Sequence, residues 1–284
     1  MQDIFNQSSH KPTLAAPLVI GIILISMGSL FLLDQFLKTG WLTLAIVPLL
    51  GMGLSIGGIL YRKSGLAIAG ALLLGLGIGG GVMLNSFTRW DWPQRIGLAL
   101  LSFALGWVLV SSITIWSNKI FSWWALIPAV VIGSTGACFL FTSLRFLDFV
   151  LYIVTAMGIL FLALGVYTRL LGLIIPGALL FGIGPGVYVG WGIPDDPTSI
   201  LARTGSMLVV FALGWGLITL FSKMVIAKFI WWPLIPAGIL AVTGWGLYIG
   251  GEPGGALHFI GNTGSIGLII FGVYLLLMRR GFHK

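Results

Sequence analysis

Histidine, cysteine, serine and clustered carboxylates are the side chains that most often build catalytic or metal centres. In this chain they are few and far apart. The three histidines are His10 and His283 in the terminal tails and His258 in a connecting loop, so none can ligate a haem or chlorophyll inside an apolar run. Cys138 is the one cysteine and lies within an apolar run; it can form no internal disulfide, and a zinc site built on it lacks partners. No HExxH, paired-cysteine or carboxylate cluster occurs. Ser111, Ser112 and Ser134 have no histidine on a neighbouring run to activate them. The expectation is a protein with no cofactor, no metal and no enzymatic activity.

Two groups of residues stand out against that background. Trp90, Asp91, Trp92, Asp195, Asp196, Glu252 and His258 gather polar and aromatic side chains in the loops of one side. Such a surface could take a cation, a basic partner or sugar-bearing envelope material. The second group lies inside apolar runs: Gly77, Gly79, Gly80 and Gly81 in one, and Gly184, Pro185 and Gly186 in another. Proline has no amide hydrogen and clashes with the preceding turn, and glycine beside it eases unwinding. Corresponding interrupted spans in two halves are a pointer to a midplane binding site. These residues are therefore a candidate cavity, with a helix break expected at Gly184–Gly186.

The elements that must position these residues follow from composition. Of the 284 residues 58% are hydrophobic and only 8% charged, against roughly 25% charged in a soluble domain. Most of the surface must then face lipid, and membrane lipids are the first expected partners. The net charge of +8 does not indicate nucleic acid, because the basic residues are scattered between apolar runs and form no patch. The first run follows a tail with a single lysine, Lys11, and reads as an uncleaved anchor. The ends Met1-Gln2 and Gly281-Phe282-His283-Lys284 carry no myristoylation or prenylation signal.

A membrane-crossing helix needs about 20 apolar residues. Ten runs meet this: Pro17–Phe36, Leu42–Tyr61, Leu66–Leu84, Arg95–Ile115, Trp123–Phe141, Phe149–Tyr167, Leu170–Val189, Ser199–Phe221, Trp232–Ile249 and Phe259–Met278. The sequence thus predicts an all-α polytopic membrane protein of ten spans: a tail 1–15, one transmembrane domain 16–278 and a tail 279–284. Ten Lys and Arg residues (Lys11, Arg62, Lys63, Lys119, Arg169, Lys223, Lys228, Arg279, Arg280, Lys284) fall on the side of the N-terminus, and five (Lys38, Arg89, Arg95, Arg145, Arg203) on the other. By the positive-inside rule both termini are expected in the cytoplasm. Trp123, Trp124, Trp231 and Trp232 mark one interface, and Trp41, Trp90, Trp92 and Trp191 the other.

The runs repeat. Trp123-Trp124-Ala125-Leu126-Ile127-Pro128-Ala129 returns after 108 residues as Trp231-Trp232-Pro233-Leu234-Ile235-Pro236-Ala237, and Phe103-Ala104-Leu105-Gly106-Trp107 as Phe211-Ala212-Leu213-Gly214-Trp215. An offset of 107 carries Gly70, Gly75, Gly77 and Gly79 onto Gly177, Gly182, Gly184 and Gly186. A finer offset of 60 carries Pro176, Gly184, Gly186, Tyr188 and Gly190 onto Pro236, Gly244, Gly246, Tyr248 and Gly250. The predicted unit is a helical hairpin, giving five parallel repeats at about 17–61, 66–116, 123–167, 170–221 and 232–278. Glycine pairs four residues apart (Gly53/Gly57, Gly75/Gly79, Gly77/Gly81, Gly182/Gly186, Gly246/Gly250) place flat strips on helix faces. In lipid such strips drive association with other helices, in the same chain, a second copy or another membrane protein.

The first hairpin, from Gly21-Ile22-Ile23-Leu24-Ile25-Ser26-Met27-Gly28 to Asp34 and then a tryptophan-led return helix, resembles the paired-helix membrane segments of LiaI/LiaF-type bacterial envelope-stress proteins. The resemblance covers single hairpins. It implies a bacterial plasma membrane and an accessory or regulatory role, and it supplies no catalytic residue. The soluble C-terminal part of LiaF-type proteins has no counterpart in these 284 residues. The expected function is a non-enzymatic scaffold, assembly or sensor-accessory protein, with a transporter, channel or lipid-handling protein built around the candidate cavity as the alternative.

Overall fold

The computed structural model describes residues 15–38, 40–84, 90–118, 122–142, 144–193, 198–226 and 230–250, with isolated positions between 254 and 265. Nine α-helices lie among them: α1 Ala15–Leu37, α2 Trp41–Leu60, α3 Ser64–Leu84, α4 Trp92–Asn118, α5 Leu126–Phe141, α6 Phe146–Thr168, α7 Leu171–Trp191, α8 Ile200–Ile226 and α9 Leu234–Gly250. No strand occurs among the described residues. Seven spans, formed by α2 to α8 with α5 extended by the turn before it to Trp123–Phe141, are long and apolar enough to cross a membrane, while α9 and the apolar stretch Ile25–Leu37 of α1 are shorter. The chain is an all-α, multi-pass membrane protein. The expected tenth span, Phe259–Met278, lies almost entirely outside the described residues.

Local chemistry sets the helix ends. Asp34 at the end of α1 is buried and accepts hydrogen bonds from the Leu42 and Thr43 amides at 3.3 and 3.1 Å, and from the Thr43 hydroxyl. A carboxylate there satisfies orphan donors at the start of α2 and complements its dipole. Asp148, also buried, accepts from the Arg145 amide at 3.0 Å and caps α6. Before α5 the chain makes a 3₁₀ turn, Trp123–Ala125. Pro128 has no amide with which to reach the Trp124 carbonyl four residues back, so the first turn tightens.

Short antiparallel connections make consecutive helices neighbours. Here extensive packing joins consecutive helices only. The joins α1–α2 and α5–α6 are slighter than the rest, and of the non-consecutive pairs among the described residues α6 and α8 touch most, and only slightly. The described helices thus form a serial array. No more than 33% of any of the seven spans is buried, so every span keeps a broad apolar face toward lipid.

Contacts within the array recur. A methyl group added at Gly51 would lie 2.8 Å from the Gly70 carbonyl oxygen, and one at Gly158 would lie 2.9 Å from that of Gly177. Gly75 would meet Gly106 Cα at 3.1 Å, and Gly182 would meet Gly214 Cα at 2.9 Å. Gly136 would meet the Gly97 oxygen at 2.7 Å, and Gly244 that of Gly205 at 2.6 Å. Trp107 and Trp124 sit edge to face at 6.0 Å, as do Trp215 and Trp232. The turns repeat as well: Lys38 and Leu144 have φ of 51° and 61°, and Arg62 and Arg169 have φ of 52° and 54°. All these pairs are 106–108 residues apart, so the recurring contacts fall into blocks of four helices, α2–α5 and α6–α9. The heavily packed joins α2–α3 and α6–α7 lie across the boundaries of the expected hairpins.

Candidate functional site

The candidate cavity residues fall on α3 and α7, and α7 runs unbroken from Leu171 to Trp191 with Pro176 and Pro185 inside it. The break expected at Gly184–Gly186 is absent. The glycines serve helix contact instead. Gly77 faces Pro48 of α2, with its methyl position 2.6 Å from Pro48 Cδ, while Gly79 faces α4, 2.8 Å from the Ala99 oxygen. Likewise Gly184 faces α6, 3.0 Å from the Thr155 amide nitrogen, and Gly186 faces α8, 3.1 Å from the Met207 oxygen. Residues two apart on a helix point about 200° apart. A helix wedged between two neighbours therefore needs small residues at i and i+2, and that is what Gly-x-Gly supplies on α3 and α7. Pro185, between the two contacts, is half-buried. Gly80 and Gly81 have no described atom within 4 Å of the added methyl.

The loop set is dispersed. Trp90, Asp91 and Trp92 are exposed at the start of α4. The Asp91 amide donates to Gln94 Oε1 at 3.3 Å, and Arg95 Nε donates to the Trp90 oxygen at 2.9 Å, which orders the turn into the helix. His258 is exposed, and Asp195, Asp196 and Glu252 lie outside the described residues. Among the described residues no group of three or more His, Cys, Asp or Glu could hold a metal ion.

Two features escaped the sequence reading. Gly51 and Gly58 on α2, and Gly158 and Gly165 on α6, pack against α3 and α7. Their seven-residue spacing, twice repeated, was the available signal, whereas the four-residue pair Gly53/Gly57 meets no described atom within 4 Å. The second feature is an apolar groove of about 460 Å³ between α6, α7 and α8, bordered by Ile159, Ala163, Val166, Phe181, Leu217 and Phe221. No residue type in it announces a ligand, and only the packing of three helices creates it.

The chain matches no protein-family model, no curated protein and no solved structure.

Proposed function

We propose that the protein is a non-enzymatic scaffold, assembly or sensor-accessory protein of a bacterial plasma membrane, which associates with a second membrane protein or its own copy through a glycine-bearing face of α1. One observation carries this reading. Ser26-Met27-Gly28 and Phe31-Leu32 of α1 correspond, 108 residues on, to Ser134-Thr135-Gly136 and Phe139-Leu140 of α5. Gly136, and Gly244 on α9, each lie against a glycine carbonyl of the preceding helix. Gly28 is exposed and no described atom lies within 4 Å of its added methyl. Among the described residues this helix-packing face is uncovered, and small residues are what let helices associate in lipid.

In this reading the whole chain crosses the membrane ten times as five parallel hairpins, with both termini on the Lys- and Arg-rich cytoplasmic side. The α1 face is tested by affinity capture and crosslinking from mild detergent. Gly28→Leu should abolish the association without lowering thermal stability. A wild-type protein that is always a partner-free monomer, or an association indifferent to Gly28→Leu, would refute it. For topology, cysteines introduced at positions 63 and 280 in a Cys138→Ala background should be shielded from external reagent, and those at 91 and 195 should react. The reverse pattern would invert the orientation.

A further inference from the structure

The groove between α6, α7 and α8 is open and lined entirely by apolar side chains. Ile159, Ala163 and Val166 lie at i, i+4 and i+7 on α6 and form one wall. Leu217 and Phe221, at i and i+4 on α8, form the other, and Phe181 of α7 borders the space between them. Every bordering side chain is hydrocarbon, and the volume of about 460 Å³ falls within the range of small-ligand sites, ~300–1,000 Å³. The groove runs beside the second half of α6, from Ile159 to Val166, and the middle of α7 at Phe181. Arg169 stands one turn past Val166, about 4.5 Å farther along the axis. It is exposed at the end of α6, in the left-handed region at φ 54°.

That position is informative. A residue closing a helix in the left-handed region is usually glycine, because a Cβ is disfavoured there. This chain places arginine in it twice, at Arg62 and Arg169. The α6 stripe also has its counterpart on α2, where Met52, Ile56 and Ile59 lead to Arg62 at the same offset of 107. All three wall residues differ between the two helices, and the largest loss of size is at Ala163, where α2 has Ile56, so the alanine makes room that the isoleucine side chain would occupy.

We propose that the α6–α7–α8 groove holds one acyl chain of a phospholipid from the adjacent leaflet, its anionic phosphate resting on Arg169. The hydrocarbon walls take the chain. The guanidinium presents paired N–H donors to the phosphate oxygens, a geometry that arginine matches better than lysine. The α2 side, with Ile56 in the wall, holds no such lipid. This site is independent of the α1 face proposed for association.

The test uses the full chain in detergent, titrated with phosphatidylglycerol or phosphatidylcholine and followed by native mass spectrometry and thermal melting. The wild type should retain one phosphatidylglycerol in preference to phosphatidylcholine. Arg169→Gln should weaken phosphatidylglycerol retention about tenfold, the size expected for one charged hydrogen-bonding contact, and erase the headgroup preference. Arg62→Gln should leave both intact. Ala163→Leu should displace either lipid; should that variant melt early, Arg169→Gln, at an exposed position, still decides the matter. Equal losses in the Arg62 and Arg169 variants would reveal only a general surface attraction and overturn the proposal. So would a headgroup preference untouched by Arg169→Gln, or lipid retention unchanged in a folded Ala163→Leu protein.

Discussion

Glycine does different work at different positions of the same helix. On α7, Gly182 faces Gly214 of α8, and an added methyl would reach its Cα at 2.9 Å; Gly172, ten residues earlier, meets nothing within 4 Å. Backbone cannot retreat as a flexible side chain can, so a larger residue at Gly182 must push α7 and α8 apart. Overpacking of this kind costs about 1–3 kcal/mol, and more when backbone must move. Gly182→Leu is expected to lower the thermal or detergent-denaturation midpoint by that much or more, and Gly172→Leu to leave it within about 0.5 kcal/mol of wild type. Equal effects of the two substitutions would contradict the contact. Spacing alone does not separate these glycines. Gly53/Gly57 has the same four-residue interval as Gly75/Gly79, yet only the second pair meets another helix.

At the scale of the element, most helices were legible because each is an uninterrupted apolar run bounded by charge, tryptophan or proline. The run Arg95–Ile115 became α4, Trp92–Asn118, and Leu170–Val189 became α7, Leu171–Trp191. What local rules misjudged was α7 itself. Pro185 and its flanking glycines favour interruption in isolation. Contacts on both sides, with Thr155 of α6 and Met207 of α8, accompany a helix that is continuous across the weak point. Pro185 deprives the Phe181 carbonyl of its usual donor four residues on. Pro185→Ala supplies that donor and is expected to preserve the fold and raise stability by about 1 kcal/mol, read from the melting midpoint. A loss of stability would mean that the proline ring itself is needed between α6 and α8.

The described helices form a one-dimensional stack in which each depends chiefly on the helices before and after it. Stability in such arrays is approximately a sum of local units and their interfaces. The slighter α5–α6 join divides the described helices into α2–α5 and α6–α9. Denaturation is therefore expected in two steps rather than one. Gly75→Leu should lower the midpoint of one step, and Gly182→Leu that of the other. Intrinsic tryptophan fluorescence can follow both, since each block carries its own pair, Trp107 with Trp124 and Trp215 with Trp232. A single transition displaced equally by either substitution would show that the α5–α6 join couples the blocks fully.

The apolar runs, the scarcity of charge and the 107–108-residue echo are properties of the chain read in order. They were enough to establish the membrane class and most helix positions, because a lipid environment demands long apolar helices whatever their arrangement. Which glycines touch another helix, that α7 stays unbroken, and that α6, α7 and α8 border an apolar groove were decided only in three dimensions. A glycine facing lipid and a glycine facing a neighbouring backbone are the same letter at the same spacing. Only the direction of each helix face toward or away from its neighbour separates them, and that direction is a property of the packed array.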